Sequence, residues 1–201
     1  MNRDELNILA DKYYSVMDIP KEKKEKRKKD AWELFDLFML FFLWFKEAED
    51  NGVENTSYFL PRFQNELQDA VGKIAPIDDY FISYVATMAL GIYTVTQAHK
   101  GEKYYLSEDR AANLALNESL SINNHIELIN AKKAGYKMKI WCTEMDDRVR
   151  PTHELMEGVK IPIDKLFEVG DSLMEMPHDV THGASMSEVS GCRCWLEYAK
   201  E

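Results

Sequence analysis

The chain has 201 residues, 45% hydrophobic and 30% charged, with a formal net charge of −10. That balance is one of a soluble globular protein with a real core. The acidity argues against nucleic-acid binding through bulk charge, which runs on Lys and Arg, and three cysteines, two of them in a Cys-x-Cys, do not form a disulfide framework.

The first segment, MNRDELNILADKYY, is charged and lacks the apolar stretch and cleavage site of a secretory signal. It predicts a protein that stays in the cytoplasm where it is made. Lys21 to Asp30 reads KEKKEKRKKD, seven basic and three acidic residues. Glu22 and Lys26 lie four apart and can pair along a helix, so a solvated helical surface is expected; contact with nucleic acid or an acidic partner is the alternative. From Ala31 to Phe45 only Glu33 and Asp36 are polar. A helix apolar nearly all round must be buried in its own fold or against a partner, and its aromatic density makes Phe41 and Trp44 candidates for a surface that a partner covers. Asn51-Gly52 ends this helix.

Phe59, Phe63, Leu67, Val71 and Ile74 then recur at helical spacing, closed by Pro76. Ile77, Phe81, Tyr84, Val85, Met88, Ile92 and Val95 form another stripe, ended by Gly101. No run reaches the roughly 18 uninterrupted apolar residues of a bilayer span. His99, in the last turn of this helix, reads as a surface residue. Ser107 offers an N-cap to a long helix that reaches Gly135, with His125 expected on its exposed side.

After Gly135 the texture changes. YKMKIWCTEM alternates as a strand does, Met138 and Ile140 facing opposite to Lys137 and Lys139. Pro151 starts a short helical turn closed by Gly158. VKIPIDKLFEVG reads as a strand or extended loop with a short helix, residues 171–191 as mostly loop, and CRCWLEY as a final strand. The expected fold class is α+β: a helical region over 1–106, then a small module over 107–201 with a short antiparallel sheet.

The chemistry gathers in that module. Asp146, Arg148 and Arg150 share a side if the segment is extended, as an ion-pair cluster or an anion site. Cys192 and Cys194 are poorly spaced for a mutual disulfide. They suit two thiolate ligands of one zinc, with His153 and either Cys142 or a carboxylate completing a tetrahedron. His178 and His182 are four apart, but Pro177 and Gly183 bracket them and argue against a helix, so they are weak ligand candidates. A Cys–His nucleophile is a further reading, better suited to a single thiol. Gly-rich phosphate loops, H-E-x-x-H and G-x-S-x-G are absent from the sequence.

In order, the residues of RAANLALNESLSINN, AKKAGYKMKIWCTEMDDRVRPTHELMEGVKIPIDKLFEVG and SGCRCWLEY resemble the Mu F-like phage minor head protein family, the head morphogenesis proteins of tailed phages and prophages. Glu118 matches the acidic position of the family's helix motif, although Leu116 and Asn117 replace its Arg-Thr pair. Trp141, Asp146, Arg148, Arg150, His153, Gly158, Cys192, Arg193 and Cys194 match the remainder. Gly191 stands where Asn is usual, and MPHD stands where Pro-Gly-Asp is frequent. The resemblance covers roughly residues 108–198.

It implies a minor capsid protein that enters the procapsid through the portal and assists head assembly or DNA delivery. The portal and other head proteins, and DNA, would be its partners, with no membrane involved. It would pass from the host cytoplasm to the interior of the virion head. No enzymatic activity is implied, and because the sequence stops seven residues after Cys194, no effector domain is expected to follow. A toxin-like enzyme and a metal-stabilised nucleic-acid-binding module are the alternatives. The motif residues are expected to act as a structural clasp that requires no cofactor or, in a second form, shares a structural zinc among His153, Cys192 and Cys194.

Overall fold

Helix runs through the first two thirds of the chain and short strands follow, an α+β protein. The computed structural model describes Met1 and residues 3–201. The helices are α1 (Arg3–Ser15), α2 (Lys21–Asp50), α3 (Phe59–Ile74), α4 (Asp79–Ala98) and α5 (Glu108–Lys133), with a 3₁₀ turn at Lys103–Leu106 ahead of α5. Then come β1 (Met138–Cys142), α6 (Pro151–Glu154), β2 (Lys160–Pro162), β3 (Phe167–Val169), β4 (Ser172–Met174), α7 (Met186–Val189) and β5 (Trp195–Ala199).

The described chain divides into two compact units, Met1–Asp11 with Glu25–Ser119, and Lys12–Lys24 with Leu120–Glu201. The sequence sets a boundary at 106/107, and the division into compact units lies elsewhere. It falls inside α5, and residues 12–24 go with the C-terminal unit. Ser107 does begin α5, its Oγ accepting from the Arg110 N–H at 3.2 Å, but a helix start need not be a domain boundary. Ala111, Ala112, Ala115 and Leu116 give the first half of α5 an apolar face, while the second half carries the polar Ser121, Asn123 and Asn124, all buried.

In the helical unit the aromatic residues of α2 are core. Phe38, Phe41 and Phe45 are fully buried and Trp44 is 7% exposed. Phe41 stacks on Phe63 of α3 with centroids 3.9 Å apart and planes 19° from parallel. Trp44 and Phe45 both meet Phe59. The reading of Phe41 and Trp44 as a partner-binding surface is therefore corrected: α3 supplies the aromatic partners that were expected from another protein. Glu118 also belongs to this unit, accepting hydrogen bonds from the Tyr84 hydroxyl and from Asn117 Nδ2. Arg110 is buried, donating to Thr96 Oγ1 at 2.9 Å and to the Tyr105 carbonyl at 2.6 Å, with its guanidinium over the Phe42 ring.

Two expectations about charge and hydropathy change. The basic run does not lie wholly in solvent: Arg27 is 0% exposed, and Lys28 is held by Asp11 and Glu25 at 2.6 and 2.7 Å. The Arg27 stem contributes packing whatever its head does, so Arg27→Ala is expected to cost about 1–3 kcal/mol. Chemical denaturation measures this, and a change below about 0.5 kcal/mol, the usual surface value, would restore the solvated reading. Second, α4, 20 residues long, is long and apolar enough to cross a membrane by length and composition. Its stripe of Phe81, Tyr84, Val85, Met88, Ala89 and Ile92 is buried, as in an amphipathic core helix.

In the C-terminal unit β1 is the middle strand of an antiparallel sheet in the order β2-β1-β5. Cys142 pairs with Trp195 and Met138 with Ala199 on one side, and Met138 with Pro162 on the other. A second ladder joins β3 and β4, Val169 opposite Ser172. The short helix expected within residues 159–170 is absent among the described residues, and the end of that segment pairs with the first part of the expected loop to form this hairpin. Gly170 turns it at φ +58°, where glycine has no steric penalty.

The alternation read in β1 holds, but the fully buried side is that of Lys139 and Trp141. Lys139 Nζ donates to the Glu175 carbonyl at 2.5 Å and lies 5.2 Å from the Phe167 ring centroid. Burial pulls its pKa down to about 8, partly opposed by the Glu175 carboxylate. Between pH 8 and the unfolded lysine value of 10.5 the unfolded chain binds the proton and the folded chain does not. Stability should therefore rise with pH across that window, by about 3 kcal/mol at most, and carry the full cost below it. Urea denaturation between pH 7 and 10 tests this, with a flatter profile expected for Lys139→Met; parallel profiles would contradict it.

Candidate functional site

The motif residues of the C-terminal unit, scattered over 141–194, converge where β1 leaves the sheet and β5 enters it. Trp141 in β1 is fully buried, its ring edge-on to His153 at 5.6 Å and to Phe167 at 5.2 Å. Gly158, at φ +70°, donates its N–H to the Trp141 carbonyl at 2.9 Å. The Val159 carbonyl accepts from the Trp141 N–H at 3.1 Å. These bonds continue the β1–β2 pairing and set α6, the single turn that carries His153, beside Trp141.

The expected row of Asp146, Arg148 and Arg150 on one side of a strand does not form, because residues 146–149 turn. Asp146 Oδ1 accepts from the Arg148 N–H at 3.1 Å, and the Asp146 carbonyl from the Val149 N–H. This is the local side-chain-to-backbone bonding that Asp favours over extended structure. The Asp146 carboxylate then takes both oxygens to Arg193 Nη2, at 2.7 and 2.8 Å. That hydrogen bond is the main reason Asp146 is held below the usual carboxylate range. Arg150 donates to the Ser190 carbonyl. Arg193 and Arg150 thus tie the 146–150 turn to the segment that precedes β5. Asp179 accepts from the Glu175 N–H at 2.7 Å, from the Thr181 N–H at 2.8 Å and from His182 Nδ1 at 2.6 Å.

Cys192 and Cys194 sit just before β5, both buried and free. His153 is 1% exposed, and its Nδ1 lies 3.5 Å from the Cys192 sulfur and 3.4 Å from that of Cys194. One ligand atom from each of the three falls within 4.8 Å of the others, so this trio could hold a metal ion. On its far side His153 Nε2 is 3.0 Å from the Glu188 carboxylate, which also accepts from Thr152 Oγ1 at 2.8 Å. The Cys194 N–H donates to the Cys192 sulfur at 3.4 Å.

The two thiols are pulled in opposite directions. Burial opposes ionisation of Cys192, but the hydrogen bond from Cys194 and the imidazoles of His178 and His153 outweigh it and pull Cys192 well below the usual thiol range. Cys194 is pushed far up, by its hydrogen bond to Cys192 and by burial. Cys142, weighed as another zinc ligand, is outside the group. Its thiol contacts the Ile140 carbonyl at 3.8 Å, and burial with the Glu197 and Glu157 carboxylates pushes it up to about 12.

His178 is the participant that sequence spacing undervalued. It is 1% exposed and its ring stands beside the Cys192 thiol, outside the trio whose ligand atoms lie within 4.8 Å of one another. Its backbone takes φ +70°, a conformation uncommon outside glycine. The polar face of α5 holds this loop in place. Ser121 Oγ donates to the His178 carbonyl at 3.4 Å, and Asn124 Nδ2 to the carbonyls of Pro177 at 3.4 Å and Cys194 at 3.3 Å. Tyr13 adds a bond to the Cys192 carbonyl at 3.1 Å. Likewise His125, expected exposed, is 3% exposed in the same helix. The usable signal was the density of Ser and Asn in a helix otherwise fit for a core, since such residues need buried acceptors.

Space at the site is small. The cavity lined by Arg148, Arg150, His153 and residues 191–194 has a volume of about 10 Å³, room for about one water molecule. No family model, curated protein or solved structure matches this chain.

Proposed function

We propose that the chain is a minor head protein of a tailed bacteriophage or prophage. In this reading it enters the procapsid through the portal and assists head assembly or DNA delivery. The observation that carries the reading is the convergence of the motif. Trp141, Asp146, Arg150, His153, Gly158, Cys192, Arg193 and Cys194 are bonded or packed into one knot. Residues that pack into one knot suit a structural motif, and their order along the chain resembles that of the Mu F-like proteins. A cavity of about 10 Å³ beside His153 supports a structural role for the set over turnover of a substrate.

The test is assembly. The chain is co-expressed with the portal and major capsid proteins of the same genome, and the resulting procapsids are treated with protease from outside. A few protected copies per particle, lost when the portal is omitted, are expected. Portal-containing procapsids that lack the chain would contradict the proposal.

A further inference from the structure

We propose that His153, Cys192 and Cys194, whose ligand atoms already lie within 4.8 Å of one another, hold one tetrahedral zinc, that the His178 ring beside Cys192 turns in as the fourth ligand, and that Glu188 is the carboxylate behind His153. This goes beyond the head-protein reading and does not depend on it.

Geometry is the first ground. With Zn–S near 2.3 Å and Zn–N near 2.0–2.1 Å, a tetrahedral site spaces sulfur from nitrogen by roughly 3.5 Å. His153 Nδ1 stands 3.5 and 3.4 Å from the two sulfurs, the spacing such an ion imposes. The second ground is His178. A buried imidazole whose only polar neighbour is a thiol is costly, yet this one is brought against Cys192 on a left-handed backbone held by Ser121 and Asn124. A cation accepting one nitrogen lone pair gives that arrangement a cause.

The surroundings agree. A histidine that binds metal through one nitrogen commonly presents the other to a carboxylate, and Glu188 lies 3.0 Å from His153 Nε2, itself bonded by Thr152. The Cys194 N–H already points at the Cys192 sulfur, where a thiolate would accept it. Two thiolates and two neutral imidazoles around Zn²⁺ sum to zero charge, which suits a buried site. Sulfur and imidazole donors select zinc over magnesium or calcium. Metal binding expels the thiol protons and leaves both sulfurs as acceptors. The ligands come from α6, from the loop after β4 and from the segment before β5, so the ion would close every loop between residues 153 and 194.

The full chain is purified from zinc-supplemented cells for elemental analysis. It is then stripped with a chelator and titrated with Co²⁺ alone. About one zinc per chain is expected, and Co²⁺ should give thiolate charge-transfer absorption with the intense visible bands of a tetrahedral site. His178→Asn should weaken zinc binding at least about a hundredfold, and Glu188→Gln roughly tenfold, as loss of a supporting carboxylate does. Circular dichroism of the stripped variants monitors folding, and the cobalt spectrum of the unaltered chain needs no variant. Metal-free protein without cobalt bands would overturn the site; zinc bound as tightly by folded His178→Asn as by the unaltered chain would overturn the fourth ligand.

Discussion

Phe41→Ser is expected to destabilise the helical unit by about 3–5 kcal/mol, the range for emptying a buried aromatic position, with a further cost for the hydroxyl. Phe41 has no exposed surface, stacks face to face on Phe63, and meets Trp44 and Phe45 edge-on. The cavity cannot collapse easily, because the neighbours are rings on two helices rather than flexible chains. Total stabilities of about 5–15 kcal/mol make this loss large. Phe41→Leu keeps most of the volume and should lose no more than about half as much. Urea unfolding followed by far-ultraviolet circular dichroism measures both. Native stability of Phe41→Ser would return this residue to the role of a docking surface.

His153→Ala is expected to lower the stability of the C-terminal unit by about 2–4 kcal/mol, more if the metal site is filled. The substitution removes the ring against Trp141 and the polar contact to both thiols, and leaves Glu188 without its basic neighbour. Asp146→Asn is a useful contrast. Its salt bridge to Arg193 is bidentate, but the aspartate side chain is 33% exposed, and solvent screening holds such pairs to about 1 kcal/mol or less. The histidine should therefore outweigh the aspartate in melting temperature. The reverse order would make the ion pair, and not the sulfur–imidazole centre, the main tie.

Much of the fold was legible because it rests on local signals. Glycines at 52, 101, 135 and 158, all at positive φ, end the elements they were expected to end. The stripe Phe59, Phe63, Leu67, Val71 fixes α3 as expected. Three-residue strands carry too little period to be read, so β3 and β4 were missed, although Val-Gly-Asp-Ser is a fair hairpin turn. Arg27 and Lys139 were misjudged for one reason: composition says what a side chain prefers, and tertiary partners decide whether it can be buried. The approach of His153 to the C-x-C was legible from residue types, whereas that of His178 depended on a left-handed residue and two α5 side chains, which spacing does not encode.

The central claim is that the sulfur–imidazole centre ties the C-terminal unit shut. Native-state hydrogen exchange on the unaltered protein and on His153→Ala tests it most directly. The account predicts a joint loss of protection in the β1–β5 ladder, the β3–β4 hairpin and residues 175–194, while amides in α2, α3 and α4 keep theirs. Unchanged protection of those C-terminal amides in the folded variant would contradict it.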